Sequence, residues 1–595
     1  MLKKKDVLIY ISENVKIILM VTDEKKTNTT PKNPQTHSVM WGFAYSIRRK
    51  DGSWAFHLNW GRIGLLVCGL AILGWCLLAG VIYGVFKYQR KYNDMTVKDA
   101  FLAPFDMKAH REKVGNYNIR TAMEIFKSGN PAMFSEAFMH LNSGVNRAPK
   151  NIMGRIQLAR IYVAMGRQDV AIQYLEQGII FCKEDIDFIR LYMRLLLDRI
   201  EDVKIVNVGE KLLRDGKIEN PQVKAYIAMT LSSVYAMHGD YSSSEKYLKE
   251  YNLGKTLPGI LRLSKNEWEM GNREEAIKII SENFKYPKNK DPMYALLVNY
   301  YTAMGDYDTA RKYSVLRSAE NPFSMAQKIE HIRLLDKSGD KDIAKKLVGE
   351  FFEANKLNHV AMVHLANFVA DKGDIDMMRK IYDNSVLNGF PSGTYCLLLL
   401  ETMITNGDHA GAVKFSEEIL RGKPSWIKRH EDVLSSLRAI AYYATGNKGE
   451  ADVLLKEVQK RPRISPKVLV ATARRFDSLD APMIANAILL YTVERFPRYQ
   501  TALIRLVQNE LKLGDSSNID KHVVRLIRMR RPPRELISSV FDNIVSDRFI
   551  FMPDREKILK EVESLKVSIG ATFSDVIEDD AGVATDNVGG DISEL

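Results

Sequence analysis

The sequence predicts an all-α solenoid, a stack of antiparallel helix pairs, behind a single transmembrane helix. Two observations favour this fold class: glycines that recur every 34 residues, and one segment of 24 residues without a charge. The glycine register comprises Gly271, Gly305, Gly339, Gly373 and Gly407. Two helices of that combined length cannot bury their apolar faces alone, so neighbouring pairs must stack around one continuous core.

The first 62 residues precede the uncharged segment and carry 11 basic and five acidic residues. We expect residues 1–62 to form a basic and largely disordered tail, because residues 22–38 are rich in Thr, Asn, Lys and Pro.

The uncharged segment, Ile63–Phe86, is rich in Leu, Ile, Val and Gly. About 20 such residues cross a bilayer as a helix, so we expect one transmembrane helix here. A cleaved signal peptide is disfavoured because the segment begins late, runs long and lacks a small-residue cleavage site. The sequence therefore predicts a single-pass protein of the plasma or inner membrane, followed by a juxtamembrane linker over residues 87–115.

The orientation of the span follows from the basic tail. Basic residues flank both ends of the segment equally, but residues 1–62 carry a net charge of +6. Because basic tails remain in the cytoplasm, we expect a cytoplasmic N-terminus and a solenoid outside the cytoplasm. Within the span, Gly80 and Gly84 form a GxxxG pair, the spacing at which two transmembrane helices can dimerise.

The repeats occupy residues 116–530, with further capping helices over 531–570. About twelve turn positions can be placed: Gly129, Gly166, a degenerate one near Glu201, Gly239, Gly271, Gly305, Gly339, Gly373, Gly407, Gly446, Asp480 and Gly514. Around them the first helix has large apolar, small and aromatic residues, as in Leu158, Ala159 and Tyr162. The second helix has a recurrent alanine, at Ala276, Ala310, Ala344, Ala412, Ala451 and Ala485. A small residue there lets two helix backbones approach closely.

This pattern resembles the tetratricopeptide repeat family, and the chain looks like a membrane-anchored member of it. The resemblance implies a right-handed α-solenoid whose concave groove, lined by the first helices, binds other proteins or peptides. It also implies one groove-facing residue per repeat. At that position stand Arg160, Ser233, Lys265, Asn299, Arg333, Asn367, Glu401 and Gln508, all of them polar. They are the candidate partner-binding residues, and the alternative is a solvated inner face.

Charge is distributed unevenly towards the C-terminus. Residues Arg461–Arg534 contain clustered basic side chains, whereas residues 571–595 carry seven acids and no base and are expected to be disordered. The basic clusters are either solvated helix faces or a docking surface for an anionic partner, which the acidic tail itself could occupy.

The motif search gives no sign of catalysis. HExxH, GxSxG, CxxC and phosphate-loop patterns are absent from the sequence. We therefore predict no catalytic, cofactor or metal site, no enzyme, and no nucleic-acid partner. The preferred function is a membrane scaffold for protein–protein interactions or complex assembly at the cell envelope. The alternatives are an envelope polymer or lipid assembly factor that binds anionic material through the basic C-terminal repeats, and an enzyme that uses the groove.

Overall fold

The computed structural model describes residues 37–48, 54–89, 96–102, 106–215, 217–461, 464–515 and 517–569. Most of the basic tail and the whole acidic tail, 571–595, therefore lie outside the described residues. The chain divides into two compact units, Met1–Ala148 and Pro149–Leu595, which are treated separately below.

The first unit contains a small antiparallel sheet that the sequence analysis did not predict. Its strands, in spatial order, are β1 (His37–Val39), β2 (Ala44–Arg48) and β3 (Trp54–Leu58). The turn between β1 and β2 places Trp41 and Gly42 at φ values of 58° and 86°. Two successive left-handed residues match the right-handed twist of a hairpin, and glycine adopts this conformation without strain.

The long apolar helix follows the sheet directly. Helix α1 runs from Trp60 to Gly84 and continues as a π-helical turn, Val85–Gln89. It contains the uncharged segment Ile63–Phe86. Within the described residues it is the one helix long and apolar enough to cross a membrane. Its apolar side chains are exposed along most of its length, for example Leu65 at 75%.

The described residues of the first unit also form the α-helices α2 (Val97–Leu102), α3 (Met107–Ser128) and α4 (Phe134–Arg147). Helices α3 and α4 form a pair around the left-handed residue Gly129. Two glycines permit their close approach. A Cβ on Gly144 would lie 2.8 Å from the carbonyl oxygen of Gly115, and a Cβ on Gly115 would lie 2.8 Å from that of Gly144.

The second unit consists, over its described residues, of twelve consecutive helix pairs. The first six pairs are α5 (Ile152–Ala164) and α6 (Gln168–Cys182), α7 (Ile186–Asp198) and α8 (Asp202–Asp215), α9 (Pro221–Met237) and α10 (Tyr241–Glu250), α11 (Leu257–Met270) and α12 (Arg273–Asn283), α13 (Asp291–Ala303) and α14 (Tyr307–Glu320), α15 (Met325–Lys337) and α16 (Lys341–Asn355). The last six are α17 (His359–Lys372) and α18 (Ile375–Leu387), α19 (Ser392–Thr405) and α20 (His409–Gly422), α21 (Ile427–Ala444) and α22 (Lys448–Lys460), α23 (Pro466–Ser478) and α24 (Pro482–Arg495), α25 (Gln500–Leu513) and α26 (Ile519–Ile527), α27 (Arg534–Val545) and α28 (Arg555–Ile569).

The turns within these pairs share one backbone feature. From α5–α6 to α25–α26, each has a left-handed residue, with φ from 55° at Asp480 to 95° at Gly339. Glycine is the residue that adopts this conformation without strain, which explains the 34-residue register. The degenerate turn near Glu201 has its left-handed residue at Ile200, with φ 60°.

Packing follows the pattern that the alanine positions predict. Ala276, Ala310 and Ala412 are fully buried between helices. First helices pack on the first helices of the next pair, as α15 does on α17 and α17 on α19, while second helices form an outer layer. The predicted fold class, an all-α solenoid of helix pairs behind one apolar helix, is confirmed.

Candidate binding surface

The first helices of the pairs form a continuous row, and this row lies on the concave side of the solenoid. Arg475 of α23 donates to Glu401 Oε1 at 2.7 Å and to Thr405 Oγ1 at 3.0 Å, both on α19. These helices are two repeats apart, with α21 between them in sequence. Side chains of helices two repeats apart can meet only across a concave surface. We call the exposed side of this row the inner surface.

The eight candidate residues all lie on first helices, each six residues before the left-handed residue of its turn. Their exposure differs. Arg160, Asn367 and Gln508 are exposed, whereas Lys265, Asn299, Arg333 and Glu401 are partly buried. Polar residues therefore occupy this position on most of the first helices, but on α21 the same offset falls on Ile440, which is 1% exposed.

Ser233 departs from the expected groove-facing position. It is 1% exposed and lies between α9 and α11, where Arg262 Nη2 donates to its hydroxyl oxygen at 3.5 Å. A serine is short enough to be covered by the neighbouring helix, and α9 is buried along most of its length. Ser233 is therefore poorly placed to contact a partner directly.

Two of the partly buried candidates are engaged within the chain. Arg333 Nη1 pairs with Asp371 Oδ2 at 2.9 Å, and its guanidinium lies 5.4 Å from the centre of the Phe368 ring. Glu401 pairs with Arg475, as described above. The first pair links neighbouring first helices and the second links first helices two repeats apart. A ligand would have to share these side chains or displace their present partners.

The asparagines are better placed for recognition. Asn367 is exposed, and its Nδ2 donates to the Val363 carbonyl one helical turn earlier, at 2.8 Å. This bond fixes the orientation of the amide on the surface. Asn299 occupies the corresponding position two repeats earlier. A side-chain amide can both donate and accept, so it can bind a peptide group whatever the adjoining side chains are.

Two inner residues with the same offset escaped the sequence analysis. Arg194 lies six residues before Ile200, and Arg474 lies six residues before Asp480; both are exposed. The turn residues in these repeats are not glycine, so the pattern was harder to read there. Applying the offset of six to Asp480 would have found Arg474, whereas Arg194 is found only when the turn is placed at Ile200 instead of Glu201.

A cleft of about 100 Å³ opens beside Arg474, between α23, α24 and α25. Its polar lining includes Arg505, Gln508 and Lys512. Lys512 Nζ is 2.7 Å from Asp477 Oδ1, the acidic residue in the lining. The cleft is therefore small and mainly basic.

The basic residues between Arg461 and Arg534 are less available than their number suggests. Arg461 pairs with Glu431, and this hydrogen bond raises the pKa of the guanidinium. Arg525 donates to the carbonyl oxygens of Val493 and Pro497, and its burial lowers its pKa. Much of the charge in this part of the chain therefore serves intramolecular contacts.

Other contacts join late repeats of the solenoid to early ones. Arg498, between α24 and α25, pairs with Asp202 Oδ1 and donates to the Leu197 carbonyl at 2.7 Å. Asp202 Oδ2 is also 3.1 Å from His238 Nε2. The Arg498 contacts connect residues about 300 positions apart, which is between eight and nine repeats of 34 residues.

A second group of contacts lies beside the first. The backbone amide of Arg531, between α26 and α27, donates to Tyr241 Oη at 3.0 Å. Tyr241 in turn donates to Glu269 Oε2 at 2.5 Å, and Arg530 Nη1 lies 3.8 Å from Glu269 Oε1. We call the whole contact zone the seam. On one side are the turns α7–α8, α9–α10 and α11–α12, and on the other the connections α24–α25 and α26–α27.

No group of three or more His, Cys, Asp or Glu side chains that could hold a metal ion occurs in the described part of the chain. The four cysteines are free; Cys68 and Cys76 are exposed on α1, and Cys182 and Cys396 are buried. Burial raises the pKa of both buried thiols, as expected of structural cysteines.

No protein-family model matches the sequence, and no curated protein matches it. The chain is similar to one in a solved structure described as "Structure of Naa15/Naa10 bound to HypK-THB", with 15% sequence identity and a TM-score of 0.29. The match covers 83% of this chain and 80% of the other.

Proposed function

We propose that the chain is a membrane-anchored scaffold that binds other proteins or peptides on the inner surface of its solenoid. The observation that carries the proposal is the row of polar residues at one position on most of the first helices. Positions that pack between repeats are apolar or small, so a polar row repeated along one side is available for recognition. Partners of this kind would be held or assembled at the cell envelope.

Membrane anchoring is supported by the surface of α1. Leu65, Leu70, Ile72 and Leu77 are all at least 60% exposed. A continuous apolar surface of this length is unfavourable in water, whereas a bilayer core accommodates it. We propose that α1 spans the membrane, with the N-terminal tail in the cytoplasm and the solenoid on the other side.

A binding role without catalysis fits the chemistry of the inner surface. Its side chains are amides, guanidiniums, an ammonium group and a carboxylate, and we assign no nucleophile or general base among them. The scaffold therefore contributes position and recognition, and any chemistry belongs to its partners.

The central test is the capture of partners by the full-length protein after crosslinking in cells. We expect Asn299→Ala, Arg333→Ala and Asn367→Ala together to reduce recovery of crosslinked partners several-fold. A matched control changes Lys312→Ala, Lys345→Ala and Lys380→Ala, exposed residues on the second helices of the same three repeats. Equal recovery by both triple variants would place the binding site elsewhere.

The orientation has its own test. Protease added to spheroplasts should digest the chain beyond Lys87 while leaving residues 1–62 protected. Protection of the solenoid until the membrane is permeabilised would show the opposite orientation, and its partners would then be cytoplasmic.

A second candidate function is the binding of anionic polymers or lipid headgroups. The observation that favours it is the basic cleft lined by Arg474, Arg505 and Lys512. Binding of this kind weakens steeply with salt because counterions screen the charges. Retention on anionic vesicles that Arg474→Ala abolishes would favour this function over protein binding.

Dimerisation through α1 is a further part of the proposal. A Cβ built on Gly80 or Gly84 would meet no atom within 4 Å, so both glycines lie on an open face of the helix. Replacement of both by Leu should reduce crosslinking between two copies in the membrane if this face pairs.

A further inference from the structure

The seam is polar, although it joins two large parts of the solenoid. All described members of the buried apolar cluster of the late repeats lie between Met325 and Leu565. None comes from the early turns of the seam. Contacts across the seam are instead hydrogen bonds and ion pairs, with Arg498 26% exposed and His238 50% exposed at their side chains. An interface of this composition is typical of reversible contacts between domains.

His238 occupies a distinctive position in the seam. Its Nε2 lies 3.1 Å from Asp202 Oδ2, and its Nδ1 lies 3.4 Å from the carbonyl oxygen of Arg528. Both neighbours are acceptors. A neutral imidazole carries one N–H and can donate to only one of them, whereas an imidazolium can donate to both. The closed geometry therefore favours protonated His238.

The contacts of His238 link three parts of the chain at once. Asp202 begins α8, His238 follows α9, and Arg528 follows α26. Beside them, a Cβ on Gly239 would lie only 2.8 Å from the Met529 carbonyl oxygen, so the two backbones are in direct contact. Loss of the His238 proton therefore weakens a contact between the early and the late repeats.

We propose that the seam is a reversible latch, closed by protonated His238 and loosened when His238 loses its proton. A closed seam stacks the edges of successive superhelical turns, so a partner can reach the inner surface only from the ends. An open seam admits a folded or extended partner from the side. This consequence for access rests on the function proposed above, whereas the opening itself does not.

The direction of the pH dependence follows from the pKa values. The hydrogen bond to Asp202 raises the pKa of His238 above its ordinary value of 6.5. The stabilisation that His238 provides is therefore complete below the ordinary pKa. It is lost as pH rises through the raised pKa of His238. Burial acts to raise the pKa of Asp202, but its hydrogen bond with His238 and the charge of Arg498 lower it overall. The stabilisation that Asp202 provides is present above its ordinary pKa of 3.8. It is lost only as pH falls through the lowered pKa of Asp202.

The other charged groups around His238 lie on each element that packs against it. They are Asp198 and Asp202 at α7–α8, Arg498 at α24–α25, and Arg528, Arg530 and Arg531 at α26–α27. Burial raises the pKa of Asp198, although Arg194 and Arg498 oppose this. Arg498 also pairs with Asp202, so it holds Asp202 in part after His238 has lost its proton. The latch is therefore strongest below the ordinary histidine pKa and loosens as pH rises through the raised pKa of His238.

The test measures the distance across the seam in the full-length protein in detergent micelles. Spin labels are attached at Ser242→Cys and Glu535→Cys, which are exposed on opposite sides, after Cys68→Ala and Cys76→Ala. Double electron–electron resonance is recorded at about pH 5.5 and about pH 8, on either side of the ordinary histidine pKa. We expect the short-distance population to fall several-fold at the higher pH.

Variants separate the latch from a general loss of structure. His238→Gln should remove the pH dependence, because a glutamine side chain keeps a donor but cannot gain a charge. Arg498→Met should increase the long-distance population about tenfold at either pH, since it removes a hydrogen bond between charged groups. Gly305→Ala strains the next turn after the seam, where an added Cβ would meet no atom within 4 Å, and should leave the distances unchanged. A wild-type distance distribution that is the same at both pH values, or a His238→Gln variant that keeps the pH dependence, would overturn the latch.

Partner capture in the same preparations distinguishes the two proposals. A seam that opens while no partner is captured at either pH would count against the scaffold function and leave the latch standing. A seam that stays closed while partners are captured would count against the latch alone.

Discussion

The turns α9–α10 and α13–α14 have nearly the same local structure but different surroundings. Both contain Gly–Asp–Tyr, with φ 73° at Gly239 and 77° at Gly305. In both, the aspartate caps the second helix. A Cβ on Gly305 would meet no atom within 4 Å, whereas one on Gly239 would meet the Met529 carbonyl. The Gly–Asp–Tyr turn thus connects two helices in both repeats, but it makes a long-range contact only at Gly239.

The largest effect is expected where the seam repeats join the central repeats. Trp268 of α11 stacks on Tyr300 of α13, with ring centres 4.0 Å apart and planes within 6°. Trp268→Ala should reduce the local free energy of unfolding by about 3–5 kcal/mol, because it removes a buried aromatic side chain. Hydrogen exchange of α11–α13 measures this, since a repeat protein can unfold locally. Phe323→Ala, at a residue 88% exposed, is the control and should change exchange little.

The two glycines themselves provide the next comparison. Gly305→Ala should cost about 1–2 kcal/mol, the strain of a left-handed alanine. Gly239→Ala should cost more, because its Cβ also displaces the Met529 carbonyl. Urea unfolding followed by circular dichroism compares the two, and the spin-label distance should change only in Gly239→Ala. Equal destabilisation without a change in distance would show that the Gly239 contact contributes nothing.

A second histidine–carboxylate pair can be compared with His238 and Asp202, and smaller changes in stability are expected there. His522 Nδ1 lies 2.8 Å from Glu510 Oε1 between α25 and α26, and Glu510 is 3% exposed. Burial raises the pKa of Glu510, so its stabilising contribution is complete at low pH and is lost as pH rises through the raised value. Glu510→Gln should therefore increase stability near neutral pH and flatten its pH dependence above the ordinary glutamate pKa of 4.5. A large destabilisation by Glu510→Gln would show that the pair is ionic, like His238 and Asp202.

Much of the solenoid could be predicted because each repeat has the same local geometry. A left-handed turn residue favours glycine, and a close helix crossing favours alanine, so both residues recur periodically in the sequence. Where another residue adopts the left-handed conformation, as Ile200 does, the periodic pattern is weak. The three-stranded sheet left a weaker signal, the Asp51–Gly52 dipeptide between two runs rich in aromatic residues, which is typical of a hairpin.

The seam could not be predicted from the same pattern. Its contacts depend on the small rotation between successive repeats, summed over about eight of them. Arg498 and Arg531 therefore look like ordinary surface arginines in the sequence. The burial of Ser233 could not be predicted for a similar reason. Its offset from the turn identifies the helix face on which it lies, but not how closely the next helix covers that face.

The sheet that precedes α1 has a consequence for where that helix can rest. Only Asn59 separates β3 from α1, and its backbone amide donates to the Phe43 carbonyl at 2.7 Å. Arg62, in the first turn of α1, donates to the Trp41 carbonyl at 3.4 Å. When a helix crosses a bilayer, a folded sheet joined to it through a single residue limits how deeply the helix can insert. The open edge strands of the sheet cannot enter hydrocarbon, so the first turn of α1 would be held at the membrane surface and the helix could not slide inward.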